Sequence, residues 1–204
     1  MKPSDTLLET GSILTRLRVE TADAHTALET RLPFLHPGFT RPEYGELLSR
    51  FWGYYVTLEP RLIAGPSLGY PAFNYSDRLK TPLLERDLCV LGETRESIAQ
   101  VPRCDDLPPI TTVAELLGCL YVIEGSTLGG MVIQQHLQAN LGVTREEGCA
   151  FFNAYGPETR EKWQGFRAVM LSATARFGGE DAIVLTARRT FETLDRWLSP
   201  IRNS

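Results

Sequence analysis

The chain has 204 residues, of which 43% are hydrophobic, so it is long and apolar enough to bury a single core. Its net charge of −4 and its scattered lysines and arginines argue against a nucleic-acid partner. It shows neither a signal-peptide pattern nor an uninterrupted apolar run of membrane-spanning length, so we expect a cytoplasmic protein without a membrane partner. We expect one domain over residues 1–204, with a flexible N-terminus at residues 1–11.

The N-terminal third predicts two helices. Apolar side chains recur at three- and four-residue spacing over residues 14–28, and Pro33 ends this first helix. Thr40 and Glu43 have the spacing of a capping box, and an apolar stripe follows them as far as Leu62. We therefore expect a second, long helix from about Thr40.

The middle of the chain predicts a loop, a helix and a further break. Residues 65–75 are rich in Gly, Pro and Ser, which indicates a loop. Helical spacing returns over residues 77–91, and Gly92 is typical of a residue that closes a helix. Residues 102–110 contain three prolines and indicate another break.

The C-terminal half predicts three more helices. Thr112 and Glu115 form a second capping-box pattern, and the apolar helix that they open continues to Leu137. Residues 157–177 and 180–198 also have helical spacing. Alternating apolar and polar residues, the signal of a strand, are scarce. The sequence therefore predicts an all-α fold with about six to eight helices around one core.

The predicted helix that begins near Thr112 contains an unusual concentration of glycine. Gly125, Gly129 and Gly130 lie within six positions of a helix interior, where each costs about 1 kcal/mol relative to alanine. The spacing of Gly125 and Gly129 is that of a close helix-packing pattern. The adjacent pair Gly129 and Gly130 invites a bend and exposes main-chain atoms to a ligand. Ser126 and Thr127 add hydroxyls that can hold water beside such a ligand.

Three histidines are candidates for chemistry. His36 and His136 are most simply surface residues, whereas His25 lies at the edge of the first apolar stripe. Glu29 follows His25 at i+4 and so shares its helix face. A histidine that binds a metal through one nitrogen usually needs an acceptor for its other N–H, and Glu29 fits that role. An ordinary surface contact between the two explains the spacing as well.

The four cysteines, at positions 89, 104, 119 and 149, contain no C-x-x-C pair. They therefore show neither a zinc-ligand spacing nor a redox motif. We expect free thiols in a reducing compartment.

Two segments resemble the heme oxygenase family. Residues 18–29, RVETADAHTALE, are similar to the proximal-histidine segment of that family. Residues 124–130, EGSTLGG, are similar to its glycine-rich distal helix, in the form found in bacterial enzymes associated with bacteriophytochromes. The likeness extends from about residue 13 to about residue 198. It implies a single-domain helical bundle that holds heme b between a proximal helix and a kinked distal helix.

The resemblance implies that heme is both substrate and cofactor, cleaved with O2 and external electrons to biliverdin, carbon monoxide and Fe2+. His25 would ligate the iron, with Glu29 as its partner. The glycines would let the distal helix lie close to the porphyrin, and crowding there would direct oxidation to one meso carbon. The biliverdin is expected to be the IXα isomer, as in phytochrome-associated members.

The same resemblance implies further contacts with heme. Arg18 and Arg167 match positions of basic propionate partners, and Lys162 is a weaker candidate. Ordinary solvated surface charges explain both arginines as well. Tyr121 would reach the distal network, and Phe166 and Phe191 would wall the pocket. Simple core packing explains each of these three residues as well. The expected catalytic and cofactor-binding positions are Arg18, His25, Glu29, Tyr121, Gly125, Ser126, Thr127, Gly129, Gly130, Phe166, Arg167 and Phe191.

The chain departs from part of the family at one position. Mammalian-type members carry an aspartate three residues before the Gly-Gly pair, where it anchors water, and this chain has Ser126. The route of the protons is therefore open. Ser126, Thr127, Glu124 and backbone carbonyls are all candidates.

No nucleotide-binding motif occurs in the sequence, so we expect no bound flavin or NAD. A ferredoxin or flavin reductase is then the expected electron donor, and a bacteriophytochrome is the expected recipient of biliverdin. Two other functions are open. One is a heme carrier or sensor without catalysis, and the other is a thiaminase-like hydrolase, which would need a nucleophilic cysteine in a polar pocket.

Overall fold

The computed structural model describes residues 11–36, 38–68 and 73–199, and this part of the chain contains helices and no strand. The all-α prediction is therefore confirmed. Residues 1–10 of the expected flexible terminus and residues 69–72 of the expected loop lie outside the described ranges. The eight described α-helices are α1 (Ile13–Glu20), α2 (Ala22–Arg31), α3 (Arg41–Ala64), α4 (Thr81–Val90), α5 (Arg95–Ala99), α6 (Val113–Leu141), α7 (Thr159–Phe177) and α8 (Glu180–Leu198).

Both predicted capping boxes are present. The Thr40 side chain accepts a hydrogen bond from the backbone N–H of Glu43, whose carboxylate accepts one from the N–H of Thr40. Thr112 and Glu115 make the same reciprocal pair at the start of α6. These local contacts satisfy backbone donors that a helix leaves unpaired at its N-terminus, which is why the sequence located both helix starts correctly.

Other helix boundaries differ from the sequence prediction. The first helix is divided at Thr21, where the backbone leaves helical geometry and the hydroxyl donates to the carbonyl of Leu17. The predicted helix over residues 77–91 begins only at Thr81, after a 3-10 turn at Tyr75–Arg78. The cause is long-range, because the Glu59 carboxylate of α3 accepts from the backbone N–H groups at the start of α4.

Helix α6 is the central element of the fold. It packs closely on α8 and α7, while α1 and α2 also pack on α8. Gly118 permits the closest approach, because a Cβ there would collide with the main chain of Ile183 in α8. By length and composition alone α6 would also be able to cross a membrane, although Glu115 and Glu124 interrupt its apolar run. More than half of its most apolar window is buried inside the protein, as in the core helix of a folded domain.

The segment that follows α6 is held by a buried carboxylate. Asp87 of α4 accepts hydrogen bonds from the backbone N–H groups of Ala150, at 2.8 Å, and Phe151, at 2.7 Å. Burial raises the pKa of Asp87 to about 6, although these two hydrogen bonds oppose the shift. The contact fixes the turn that brings the main chain of Phe152 against Gly130 of α6.

Candidate active site

A cavity of about 240 Å³ lies between α2, α6 and α8. His25 and Glu29 line it from α2, Gly125 and Gly129 line it from α6, and Phe191 lines it from α8. Larger grooves on the outer surface lack a histidine, so size alone would not have located this site. The helices therefore bring the two sequence motifs, about a hundred residues apart, to the lining of one cavity.

The imidazole of His25 is positioned by two contacts. Its Nδ1 atom lies 3.4 Å from Oε2 of Glu29, which confirms that the two side chains share a helix face. Its ring also meets the ring of Phe191 edge-to-face, with centroids 5.4 Å apart. The side chain of His25 remains 51% exposed, so the imidazole is accessible to a ligand that enters the cavity.

The glycines of α6 divide into two groups with different surroundings. A Cβ at Gly129 would meet no atom within 4 Å, and one at Gly125 would make only ordinary contact with Trp163. A Cβ at Gly130 would lie 2.5 Å from the carbonyl oxygen of Phe152. Gly130 is therefore needed for packing against the segment after α6, and it does not line the cavity that contains His25. Helix α6 continues unbroken through all three positions.

Tyr121 is the cavity residue on which the two predicted arginines act. Its ring lies 5.8 Å from that of Trp163. Burial raises the pKa of Tyr121, while a hydrogen bond with Thr21 and the charges of Arg18 and Arg167 lower it. Both arginines are thus close enough to Tyr121 to act on it electrostatically. Neither arginine is among the residues that line the cavity.

Two other predicted residues lie outside this cavity. Phe166 is fully buried and packs behind Trp163, with ring centroids 5.8 Å apart. Lys162 places its ammonium 3.9 Å from Glu158, on the outer side of α7. Neither Phe166 nor Lys162 would therefore touch a ligand in the cavity.

Ser126 and Thr127 differ in the space that they face. Ser126 lines the cavity of His25 and also a second, smaller chamber behind it, whereas Thr127 lines only the smaller chamber. Their hydroxyls donate to the backbone carbonyls of Ile123 and Glu124, respectively. Lys80 lines the smaller chamber as well.

A charged cluster that the sequence patterns do not predict lies beside the smaller chamber. Glu124 is completely buried and pairs with Arg78, Lys80 and Tyr155. A carboxylate within the apolar run of α6 was the available signal, because a buried charge requires partners. The partners gave no signal of their own, since Arg78 and Lys80 lie in a segment that resembles an ordinary polar surface loop.

The contrast between neighbouring glycines predicts opposite effects of two alanine substitutions. Gly129→Ala should stabilise the protein by up to about 1 kcal/mol, because alanine favours the helix and the space is open. Gly130→Ala should destabilise it by roughly 1–3 kcal/mol, because Cβ would collide with the Phe152 carbonyl. Urea unfolding measures both changes. Equal effects would contradict the assignment of the two glycines to different environments.

Comparison with known proteins identifies the family of this chain. A sequence profile described as heme oxygenase matches residues 11–200. A heme oxygenase of Xanthomonas campestris pv. campestris (strain 8004) is 38% identical over 96 residues, which are 46% of this chain and 51% of that protein. The aligned region thus spans about half of the length of that relative.

The overall fold gives a second comparison. The structure of heme oxygenase from Leptospira interrogans superposes with a TM-score of 0.74 at 18% identity, over 93% of this chain and 99% of that one. At this identity the superposition shows a shared fold. The family profile covers nearly the whole sequence, and the chain therefore belongs to the heme oxygenase family.

Proposed function

We propose that this protein is an enzyme that binds heme in the cavity of His25 and cleaves it to biliverdin, carbon monoxide and Fe2+. The observation that carries the proposal is an accessible imidazole facing a length of helix main chain without side chains at Gly125 and Gly129. A flat apolar ring fits between such walls. Membership of the heme oxygenase family supports the same reaction.

The cavity has the chemistry that heme requires, although it is narrow. Its walls are mostly apolar, with Ile133, Trp163 and Phe191 beside the helix backbone. Its volume of about 240 Å³ is slightly below the roughly 300 Å³ at which ligand pockets usually begin. Entry of heme therefore requires the walls of the cavity to move outward. Gly129 already leaves open space on the side of α6.

His25 would hold the iron through Nε2. Because Nδ1 faces Glu29, the carboxylate can accept the Nδ1–H proton and leave the Nε2 lone pair available. Such a partner also fixes the orientation of the ring and makes the imidazole a better ligand. When bound, heme supplies the iron that activates O2 with electrons from outside the protein.

Arg18 and Arg167 would hold the heme propionates at the end of the cavity marked by Tyr121. Guanidinium groups suit carboxylates because their N–H groups form charge-assisted hydrogen bonds. Two such contacts would fix the rotation of the heme in its plane. The bare main chain of α6 would then limit oxidation to one position of the ring.

The finer assignments of the reaction follow from the family resemblance. We assign the IXα isomer of biliverdin because phytochrome-associated members produce that isomer. We assign an external ferredoxin or flavin reductase as electron donor and a bacteriophytochrome as recipient of the product. Free cysteines, three of them buried, suit the reducing conditions of the cytoplasm. Chromatography of the bilin identifies the isomer directly.

The geometry does not favour a thiaminase-like hydrolase. All four cysteines lie in the described part of the chain, and none of them lines the cavity of His25. Burial raises the pKa of Cys104 and Cys149 to about 11 and that of Cys119 to about 12, which suppresses the nucleophilic thiolate. Cys89 is exposed in a separate outer groove.

Replacement of the proposed ligand tests the function. His25→Ala should abolish nitrogen ligation by the protein and lower the rate of bilin formation at least about tenfold, with recovery when free imidazole is added. Hemin titration, electron paramagnetic resonance and absorbance after addition of a reductant under air measure these effects. His136→Ala, which removes an exposed histidine of α6, is the matched control.

The outcomes of this experiment separate the alternatives. A wild-type protein that binds hemin but keeps its Soret band after reduction under air would be a carrier or sensor. Ligation that persists in His25→Ala would overturn the assignment of the iron ligand.

Replacement of the propionate partners gives a separate prediction. Arg18→Ala and Arg167→Ala should each weaken hemin binding by roughly three- to tenfold, because each removes a partly screened ion pair. Arg188→Ala removes an exposed arginine of α8 outside the cavity and should leave affinity unchanged. Fluorescence titration with hemin measures the affinities. Identical affinities in all three variants would show that the propionates lie elsewhere.

A further inference from the structure

Arg78 links two helices at the point where each of them borders the proposed heme cavity. Its guanidinium pairs with the buried carboxylate of Glu124 in α6, and both of its terminal nitrogens lie 3.5 Å from the backbone carbonyl oxygen of Lys162 in α7. The next residue along each helix, Gly125 in α6 and Trp163 in α7, lines the cavity. Arg78 therefore joins α6 and α7 one residue away from the cavity wall.

A second set of contacts connects Arg78 with Trp163 through aromatic rings. The guanidinium carbon lies 4.8 Å from the centre of the Phe73 ring, within the range of a cation–π contact. Phe73 packs against Phe166, with ring centroids 5.7 Å apart, and Phe166 packs against Trp163, with centroids 5.8 Å apart. The position of the Trp163 ring therefore depends on Arg78 through the main chain of α7 and through two packed rings.

The 3-10 turn that carries Arg78 is itself fixed to α3. The Glu59 carboxylate accepts hydrogen bonds from the hydroxyl of Tyr75, at the start of the turn, and from the backbone N–H of Lys80, just after it. The ammonium of Lys80 donates to the backbone carbonyl of Arg78. The Arg78 side chain is only 10% exposed. Arg78 is therefore a rigid support whose orientation is held by its own neighbours.

Trp163 stands against the part of α6 that lacks side chains. A Cβ at Gly125 would lie 3.6 Å from the Trp163 ring, at ordinary van der Waals distance. The same indole lies 5.8 Å from the ring of Tyr121, one turn earlier in α6. Any larger separation of α6 and α7 would open this contact. The space between Trp163 and α6 is thus set beside the residue that joins the two helices.

Stability alone does not account for this arrangement. Glu124 also contacts the ammonium of Lys80 and the hydroxyl of Tyr155, so the buried carboxylate would keep polar and charged partners without Arg78. A buried ion pair commonly adds no more stability than well-packed apolar residues of the same volume. The contact of Arg78 with α7 adds nothing to the neutralisation of Glu124. It does tie two walls of the cavity together.

We propose that Arg78 is a positioning residue that fixes the width of the heme cavity between Trp163 and the main chain of α6 at Gly125. The outward movement that heme entry requires would then occur at other walls. Heme seated against these two fixed walls would keep one orientation. A reaction within a bound complex is sensitive to displacements of about 1 Å, so loosened walls would expose more than one meso carbon to oxidation. The inference rests on the proposed function.

Two substitutions of Arg78 and one control test the proposal. Arg78→Met removes the contacts with both Glu124 and the α7 carbonyl. Arg78→Lys keeps a positive charge near Glu124 but lacks the planar set of N–H donors that reaches both helices. Arg16→Met is the matched control, because Arg16 also joins two helices through ion pairs, with Glu180 and Asp181 of α8, and does not line the cavity. Circular dichroism and thermal unfolding establish that each variant is folded.

The first measurement is made by NMR on the protein without hemin. The nuclear Overhauser effect between the Trp163 ring and the α hydrogens of Gly125 reports the distance between the two walls. It should weaken or disappear in both Arg78 variants. The corresponding effect between the rings of His25 and Phe191, whose centroids are 5.4 Å apart on α2 and α8, should persist. The control variant should change neither signal.

The second measurement is the isomer composition of the bilin that the hemin-loaded protein forms. The wild type should yield predominantly one biliverdin isomer, whereas both Arg78 variants should raise the share of other isomers by about threefold or more. A substitution that lowered only stability would reduce the amount of folded protein without changing this ratio. Arg16→Met should give the same ratio as the wild type.

Two outcomes would overturn the proposal. An unchanged Overhauser effect in Arg78→Met would show that Arg78 does not hold Trp163, and an unchanged isomer ratio would show that it does not fix the heme. If Arg78→Met does not fold, Arg78→Lys decides through the same two measurements. Failure of the wild type to form any bilin would instead contradict the proposed function, while the measurement without hemin would still test the position of Trp163.

Discussion

The structure depends on glycines of α6, where the helix backbone approaches neighbouring segments closely because no side chain intervenes. Helix α6 touches α8 where Gly118 has no side chain, and it touches the following segment where Gly130 meets the Phe152 carbonyl. These two contacts fix the position of the helix. Gly129 takes part in neither contact. It faces open space in the cavity that His25 also lines. The cavity exists because α6 is held by its other glycines.

Much of the fold was predictable because its signals are local. Capping boxes at Thr40 and Thr112 lie within one helical turn, so the sequence specifies them without reference to the rest of the chain. The start of α4 was not predictable, since Glu59 caps it from another helix. The break at Thr21 was missed for a related reason, because the apolar stripe continues across it.

The same distinction applies to the site. His25 and Glu29 are one turn apart, and their contact follows from helix geometry. The glycine motif was recognised, but its three members were assigned one role, and only tertiary packing separates Gly130 from the others. The cluster of Arg78, Lys80 and Tyr155 comes from distant segments that meet only after folding. The types and spacing of these residues therefore did not predict the cluster. Glu124 alone was visible, as a carboxylate in an apolar run.

The adjacency of Glu124 and Gly125 has a mechanical consequence. Successive residues of a helix point in different directions, so Glu124 is anchored in the charged cluster while Gly125 borders the cavity of His25. A substitution that breaks the ion pair between Arg78 and Glu124 would therefore act on the helix turn that borders the cavity of His25, without changing any residue of the cavity lining.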